Sequence, residues 1–249
     1  MKAVLVAGGA GGIGEGIVRA LLASGDARVV VTSRNAERLD GLRERLGDPD
    51  TAAFATMVGD AGDFVGAEDI AGRLASLGGI DAVVAVLGRG WWTSGPLLEL
   101  TAHEWAEVLD EMLTSHFALV RALAPMLASR PGSLYLSIGG GAAFAPMPSA
   151  GLVSIAAAGQ AMLTRVLHRE LGSGPPRIRE LVINGPVSTR ESRHVAGAGW
   201  ITDDDVGLVV RDIVLYGATT WPSVDARGPL IVMNEDSASA TDPARAERP

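Results

Sequence analysis

Val4-Leu5-Val6-Ala7-Gly8-Gly9-Ala10-Gly11-Gly12-Ile13-Gly14 is a short apolar run, a glycine-rich turn and the start of an amphipathic stretch, in that order. Glycine at 8 permits a tight turn, glycine at 12 lets a backbone approach a pyrophosphate, and glycine at 14 lets helix and strand pack closely. A helix that begins near Gly11, Gly12 and Ile13 points free N–H groups and positive potential at whatever lies over the turn, which makes it an anion site. Strand before and helix after are the context this glycine spacing requires. The stretch therefore predicts a dinucleotide-binding α/β unit.

Downstream, short β-branched runs alternate with longer amphipathic ones. Val4–Val6, Arg28–Thr32, Ala53–Val58, Ala82–Leu87, Leu134–Ile138, Ile178–Ile183 and Leu230–Met233 have strand length, and several are continuously apolar, as buried parallel strands are. Helical patterns lie near 13–24, 35–46, 66–77, 101–129, 149–172 and 203–216. Thr101 with Glu104 forms a capping box, and Thr202 precedes three aspartates at a helix start. Gly25 and Gly47 stand where the first two helices need a left-handed cap. Strand–helix alternation implies right-handed βαβ units, hence a doubly wound, seven-stranded parallel sheet with helices on both faces. One Rossmann-like domain over residues 1–234 is expected, with 235–249 a polar, flexible tail.

The second strand tests the ligand. About 20 residues beyond the glycines an acid is expected where a ribose carries a free 2′-hydroxyl. The strand ends instead in Thr32-Ser33-Arg34. A guanidinium clamps a 2′-phosphate through charge-assisted hydrogen bonds, so NADP(H) is favoured over NAD(H).

Composition narrows the remaining classes. The chain has 249 residues with 21 basic and 29 acidic side chains, a net charge of −8. That balance offers no basic stripe for phosphate backbones, so nucleic acid is not an expected partner. The absence of cysteine excludes disulfides, thiolate nucleophiles and Cys-ligated metals, and no histidine spacing suggests a metal site. The N-terminal apolar run is too short for a signal-peptide core or a membrane span, and a cytoplasmic protein is expected.

Together these pieces resemble the short-chain dehydrogenase/reductase family over nearly the whole chain. Gly8-x-x-x-Gly12-x-Gly14 is similar to its cofactor turn, with Ala7 where Thr is usual. Asp60-Ala61 falls where the family binds the adenine amino group, and Ala85-Val86-Leu87-Gly88 stands in place of its Asn-Asn-Ala-Gly. Gly95-Pro96-Leu97-Leu98 and Trp105 resemble its entry to the fourth helix. Asn184-Gly185-Pro186-Val187-Ser188-Thr189 resembles its Pro-Gly segment, with the order changed. The resemblance implies a homodimer or homotetramer paired through the helices at 101–129 and 149–172.

The same alignment departs at the chemistry. The family uses an Asn, a Ser and a Tyr-x-x-x-Lys pair; here those positions fall on Met112, Gly140, Val153 and Ala157. No slip restores the pair, because the only tyrosines are Tyr135 and Tyr216 and the only lysine is Lys2. His116, four residues beyond Met112 on the same helical face, is a candidate replacement acid. Trp91-Trp92, Gly140 and Val153 are candidate substrate-pocket residues: paired indoles stack on a flat ligand, or else serve loop packing or a subunit contact. Residues 188–199 follow the sixth strand as a candidate lid.

Three functions fit. The first is an NADP(H)-dependent reduction of a carbonyl in a bulky or aromatic small molecule, since hydride transfer is the cofactor's chemistry and loss of a positioned acid slows it by about 10²–10⁴ without forbidding it. The second is a cyclase, isomerase or dehydratase on the same scaffold. The third is a noncatalytic NADP(H)-binding protein.

Overall fold

The computed structural model describes residues 1–88, 95–218 and 230–233. The order is β1 (Lys2–Ala7), α1 (Gly12–Ala23), β2 (Ala27–Ser33), α2 (Ala36–Arg45), β3 (Phe54–Val58), α3 (Phe64–Ser76), β4 (Ala82–Ala85), α4 (Ala102–Leu109), α5 (Ser115–Ala128), β5 (Leu134–Gly140), α6 (Gly151–Leu171), β6 (Arg177–Ile183), β7 (Val187–Ser188), β8 (Ile201–Thr202), α7 (Asp203–Tyr216) and β9 (Leu230–Met233). The main sheet runs β3-β2-β1-β4-β5-β6-β9. This is the doubly wound Rossmann-like architecture, whose strand order reverses between β1 and β4.

The strands form because they are apolar on both faces. Val4, Val6, Val29, Val31, Leu134 and Leu136 face a core closed by Ile17 and Leu21 of α1, Leu39 and Leu42 of α2, and Val206, Val210 and Ile213 of α7. Leu5, Val30, Val83 and Tyr135 face the opposite core, closed by Ile70 and Leu74 of α3 and by Leu119, Leu123 and Leu127 of α5. Both capping boxes form: Thr101 with Glu104 starts α4, and Thr202 with Asp205 starts α7. Gly25 and Gly47 take positive φ, as expected.

Three features depart from the sequence reading. Six strands of the main sheet are parallel, but β9 pairs antiparallel to β6, Leu230 opposite Ile183 and Met233 opposite Glu180. The chain leaves α7 at Ala218, whose carbonyl accepts from Arg179 in the first half of β6, and residues 219–229 intervene. That length reaches about 35–40 Å, enough to pass a strand and enter from its other end, and an antiparallel edge strand on a parallel sheet is common. The expected single helix over 101–129 is broken by a π-helical segment, Asp110–Thr114, a local widening that recurs at functional sites. Finally, β7 and β8 form a parallel pair, Val187 opposite Ile201, that closes the base of the 189–200 excursion. Trp91, Trp92 and the tail 235–249 lie outside the described residues.

Candidate functional site

Where the strand order reverses, the carboxyl ends of β1 and β4 part and leave a crevice, the place where open α/β sheets bind ligands. The cavity there has a volume of about 300 Å³. Gly8, Ala10 and Gly11 line it from the first turn, Thr32, Ser33, Arg34 and Arg38 from the end of β2, and Asp60, Ala61 and Asp63 from the end of β3. Val86, Leu87 and Gly88 form the wall beyond β4, and Asp110 and Glu111 of the π segment close it with Ser115 at the start of α5.

The turn needs its glycines for packing. Gly8 has φ +80°, and a Cβ there would lie in the Val86 carbonyl. A Cβ at Gly14 would stand 2.7 Å from the Gly9 Cα. Gly12, Ile13 and Gly14 do not line the cavity. The open side of Gly12 is filled by the Thr189 side chain, which a Cβ would meet at 2.8 Å, and Ile13 packs against the core. Gly11 caps α1 without a side chain, so the first-turn N–H groups of the helix have no capping acceptor. That leaves the cradle an anion requires.

Charge divides the cavity. At one end Asn35 caps α2, its Oδ1 accepting from the Arg38 N–H at 3.1 Å, while Ser33 Oγ accepts from the Asn35 N–H at 3.2 Å. This cap fixes Arg34 just before the helix and Arg38 in its first turn, both exposed at the cavity rim. Neither guanidinium has an acidic partner among the described residues. Arg38 was not singled out in the sequence; its signal was helical phase, four residues on from Arg34. The neighbouring strand end is acidic: Asp60 Oδ1 accepts from the Gly62 N–H at 2.7 Å, and Asp63 caps α3. Between them Thr32, 1% exposed, has a buried hydroxyl with no partner among the described residues. A nicotinamide dinucleotide fits the charged lining, with Arg34 and Arg38 at the end of β2, Asp60 and Asp63 at the end of β3, and the free N–H groups of α1 starting just past Gly11.

The second half of the carboxyl edge, around β5 and α6, has another character. Met112, 8% exposed, and Val153, 6%, pack in one apolar cluster with Val108, Ala150, Leu152 and Ala156. A Cβ at Gly88 would meet Met112 Cγ at 3.2 Å, so this cluster borders the cavity wall. Ala157 is also buried, whereas a Cβ at Gly140 would meet nothing within 4 Å. Lys2 is at the opposite edge of the sheet, donating to the Val214 carbonyl at 2.8 Å. Tyr135 is buried, its hydroxyl donates to the His116 carbonyl at 3.3 Å, and burial raises its pKa. Tyr216 Oη is 3.4 Å from Asp26.

His116 is 1% exposed and has both ring nitrogens on protein atoms, Nε2 3.3 Å from the Leu87 carbonyl and Nδ1 3.4 Å from Ser137 Oγ. Burial lowers its pKa to about 4, against the opposing effect of the Leu87 hydrogen bond. Sequence reasoning also passed over Glu180, fully buried on β6, whose carboxylate lies against Gly139 and whose Oε2 accepts from Thr164 at 3.4 Å. Burial pushes its pKa up to about 7. The excursion after β7 covers the first turn: Ser192 Oγ accepts from the Thr189 N–H, and Arg190 lies 3.5 Å from Glu15. Glu15, 4% exposed, is held mainly by Arg45 at 2.9 Å. Among the described residues no group of His, Asp or Glu could hold a metal ion, and no helix is long and apolar enough to cross a membrane.

Comparison with known proteins agrees with this geometry. Over 248 residues the chain is 28% identical to "Probable galactose dehydrogenase GalD" of Rhizobium meliloti, covering 96% of this chain and 90% of that one. It is 26% identical to the D-xylose 1-dehydrogenase of Caulobacter vibrioides over 239 residues, with the same coverages. The crystal structure of a short chain dehydrogenase/reductase family oxidoreductase from Burkholderia thailandensis superposes with a TM-score of 0.74 at 26% identity, covering 87% of each chain. Residues 2–195 match the family model described as short chain dehydrogenase, and the chain belongs to that family of nicotinamide-dependent oxidoreductases.

Proposed function

We propose that the protein is an NADP(H)-dependent oxidoreductase that reduces the carbonyl of a bulky, largely apolar small molecule without a tyrosine–lysine acid. The observation that carries the cofactor choice is the basic end of the cavity. Ser33, Arg34 and Arg38 surround the end of β2, and that strand itself ends without a carboxylate to receive a ribose 2′-hydroxyl. Two guanidiniums and a hydroxyl suit a phosphate. The first-turn N–H groups of α1 would hold the diphosphate, and Asp60 with Ala61 would face the adenine.

When bound, the cofactor supplies hydride. The protein's part is orientation and shape: Gly140 leaves open room, and Met112, Val153 and Ala157, all nearly buried, show only a small apolar surface where the family's proton-transfer groups would stand. That surface favours a ligand less polar than a sugar, and a carbonyl activated by its own neighbouring hydroxyl needs no protein acid. The same surface also supports a second reading, a non-redox catalyst or a noncatalytic NADP(H)-binding protein. NADPH oxidation with an aromatic ketone separates the first reading from the second.

Calorimetric titration with NADPH and NADH tests the cofactor site. Arg34→Ala and Arg38→Ala are each expected to weaken NADPH by about 1–3 kcal/mol and to leave NADH unchanged. Equal losses for both cofactors would refute the 2′-phosphate site. A homodimer or homotetramer is also proposed, on the exposed Ile155, Met162 and Val166 along one side of α6. A monomer by light scattering at working concentration would refute it.

A further inference from the structure

The wall of the cavity beyond β4 is not held by the sheet. The β4–β5 ladder ends at Ala85 opposite Ser137, and on the β1 side the last backbone bond is the Val86 N–H to Ala7. Leu87 lies past both, lines the cavity, and precedes Gly88, whose φ of +110° turns the chain away. Its carbonyl is met by His116 Nε2 of α5 at 3.3 Å.

A carbonyl only accepts, so the proton of that contact sits on Nε2. The ring has no carboxylate partner among the described residues, and its burial disfavours the charged form. Nδ1 is then the acceptor, and Ser137 Oγ at 3.4 Å must donate to it. Ser137 Oγ in turn accepts from Gln160 Nε2 of α6 at 2.7 Å, and the same amide donates to the Ile138 carbonyl at 3.0 Å. Every donor in the chain Gln160–Ser137–His116–Leu87 thus has one direction, and reversing one bond leaves a buried polar atom unpaired.

We propose that His116 is a positioning residue of the cofactor pocket: in its Nε2–H tautomer it fixes the Leu87 carbonyl in the cavity wall, while Ser137 and Gln160 fix the imidazole. This rests on the reading of the cavity as the cofactor site. It gives His116 a role other than proton donation, since neither ring nitrogen is left for a substrate. It also ties α6 to the cavity wall through side chains 44 residues apart in sequence, Gln160 and His116.

The test is ring 15N NMR of the intact protein together with a binding cycle. One histidine is expected in the neutral Nε2–H form at pH 7, and its ring signals should shift when NADPH is added. His116→Ala and Ser137→Ala are each expected to weaken NADPH, the first by roughly fivefold, a single neutral hydrogen bond's worth. The double variant should be no weaker than His116→Ala alone, because both act through one chain. If His116→Ala does not fold, Ser137→Ala and Gln160→Leu carry the same expectation of weaker binding, measured at a temperature where each variant is fully folded. An Nδ1–H or charged ring, additive losses, or unaltered affinity in the variants would overturn the role. If the wild-type protein binds neither NADPH nor NADH, the cofactor reading itself fails, and this role falls with it even where the tautomer is as expected.

Discussion

The two halves of the sheet's carboxyl edge carry different information. Around β1, β2 and β3, a glycine turn, two arginines and two aspartates line one cavity. Around β5 and α6, Met112 and Val153 are packed among Val108, Ala150, Leu152 and Ala156. The first half is written largely in backbone geometry: Gly8 and Gly14 have no room for a Cβ because the Val86 carbonyl and the Gly9 backbone stand in the way. Such residues persist for packing whatever the site does. The guanidiniums of Arg34 and Arg38 are exposed and have no acidic partner among the described residues, so they say more about a ligand than the glycines do. In the second half the chemistry belongs to side chains on helix and strand, which can be exchanged while the scaffold stays.

Breaking the backbone half should cost most. Gly8→Ala forces an L side chain to φ +80° and into the Val86 carbonyl. A loss of about 4 kcal/mol in urea unfolding is expected, with NADPH binding abolished. Rebuilding the other half should cost less. Val153→Tyr with Ala157→Lys inserts a phenol and an ammonium at positions each 6% exposed. Overpacking and a buried charge are expected to lower stability by about 3 kcal/mol. Turnover of the native substrate should not rise; an increase would mean that the site lacks only the acid.

Glu180 extends the comparison to the floor of the second half. Burial raises its carboxyl to about 7, against the Thr164 hydrogen bond and the Arg165 charge. The native state therefore binds this proton more tightly than the unfolded chain does. Its effect is absent below the unfolded value near 4.5, and stability falls as pH rises from there to about 7, then levels. Glu180→Gln should remove that slope and stabilise the protein by about 2 kcal/mol at pH 8, with little change at pH 4. Parallel pH–stability curves for the two proteins would show a carboxylate that ionises without hindrance.

The fold was legible because its strands are continuously apolar and its helices carry caps: Thr101 with Glu104 and Thr202 before three aspartates mark their starts directly. The direction of β9 was not, because strand polarity depends on where residues 219–229 take the chain and not on the residues of the strand itself. In the site, Gly8, Gly11, Ser33, Arg34, Asp60, Ala61, Leu87 and Gly88 came together at one cavity, since each ends a strand or begins a turn at the same edge. Arg38 was hidden by helical phase. The Gln160–Ser137–His116 chain was hidden by register, since only the placement of α5 and α6 on β5 brings three distant polar residues to one line.

The smallest effect is expected where the halves are strapped together. Arg190 reaches back from the excursion after β7 to Glu15 on α1, with its Nε 3.5 Å away and its side chain 40% exposed. Arg45 holds the same carboxylate at 2.9 Å, so Arg190→Gln leaves Glu15 paired. An exposed ion pair is worth less than about 1 kcal/mol, and the melting temperature should barely move. The Thr189 side chain, which fills the open side of Gly12, is carried by the same turn. Loosening that turn should therefore speed NADPH release by roughly two- to threefold in stopped flow, the kinetic equivalent of that energy. Salt should speed release from both proteins by screening the Arg34 and Arg38 contacts, and the gap between wild-type protein and variant should close as salt rises, because screening removes what the substitution has already removed. Identical release rates at every ionic strength would assign the hold on the turn to the Thr189–Ser192 hydrogen bond and the β7–β8 pair alone.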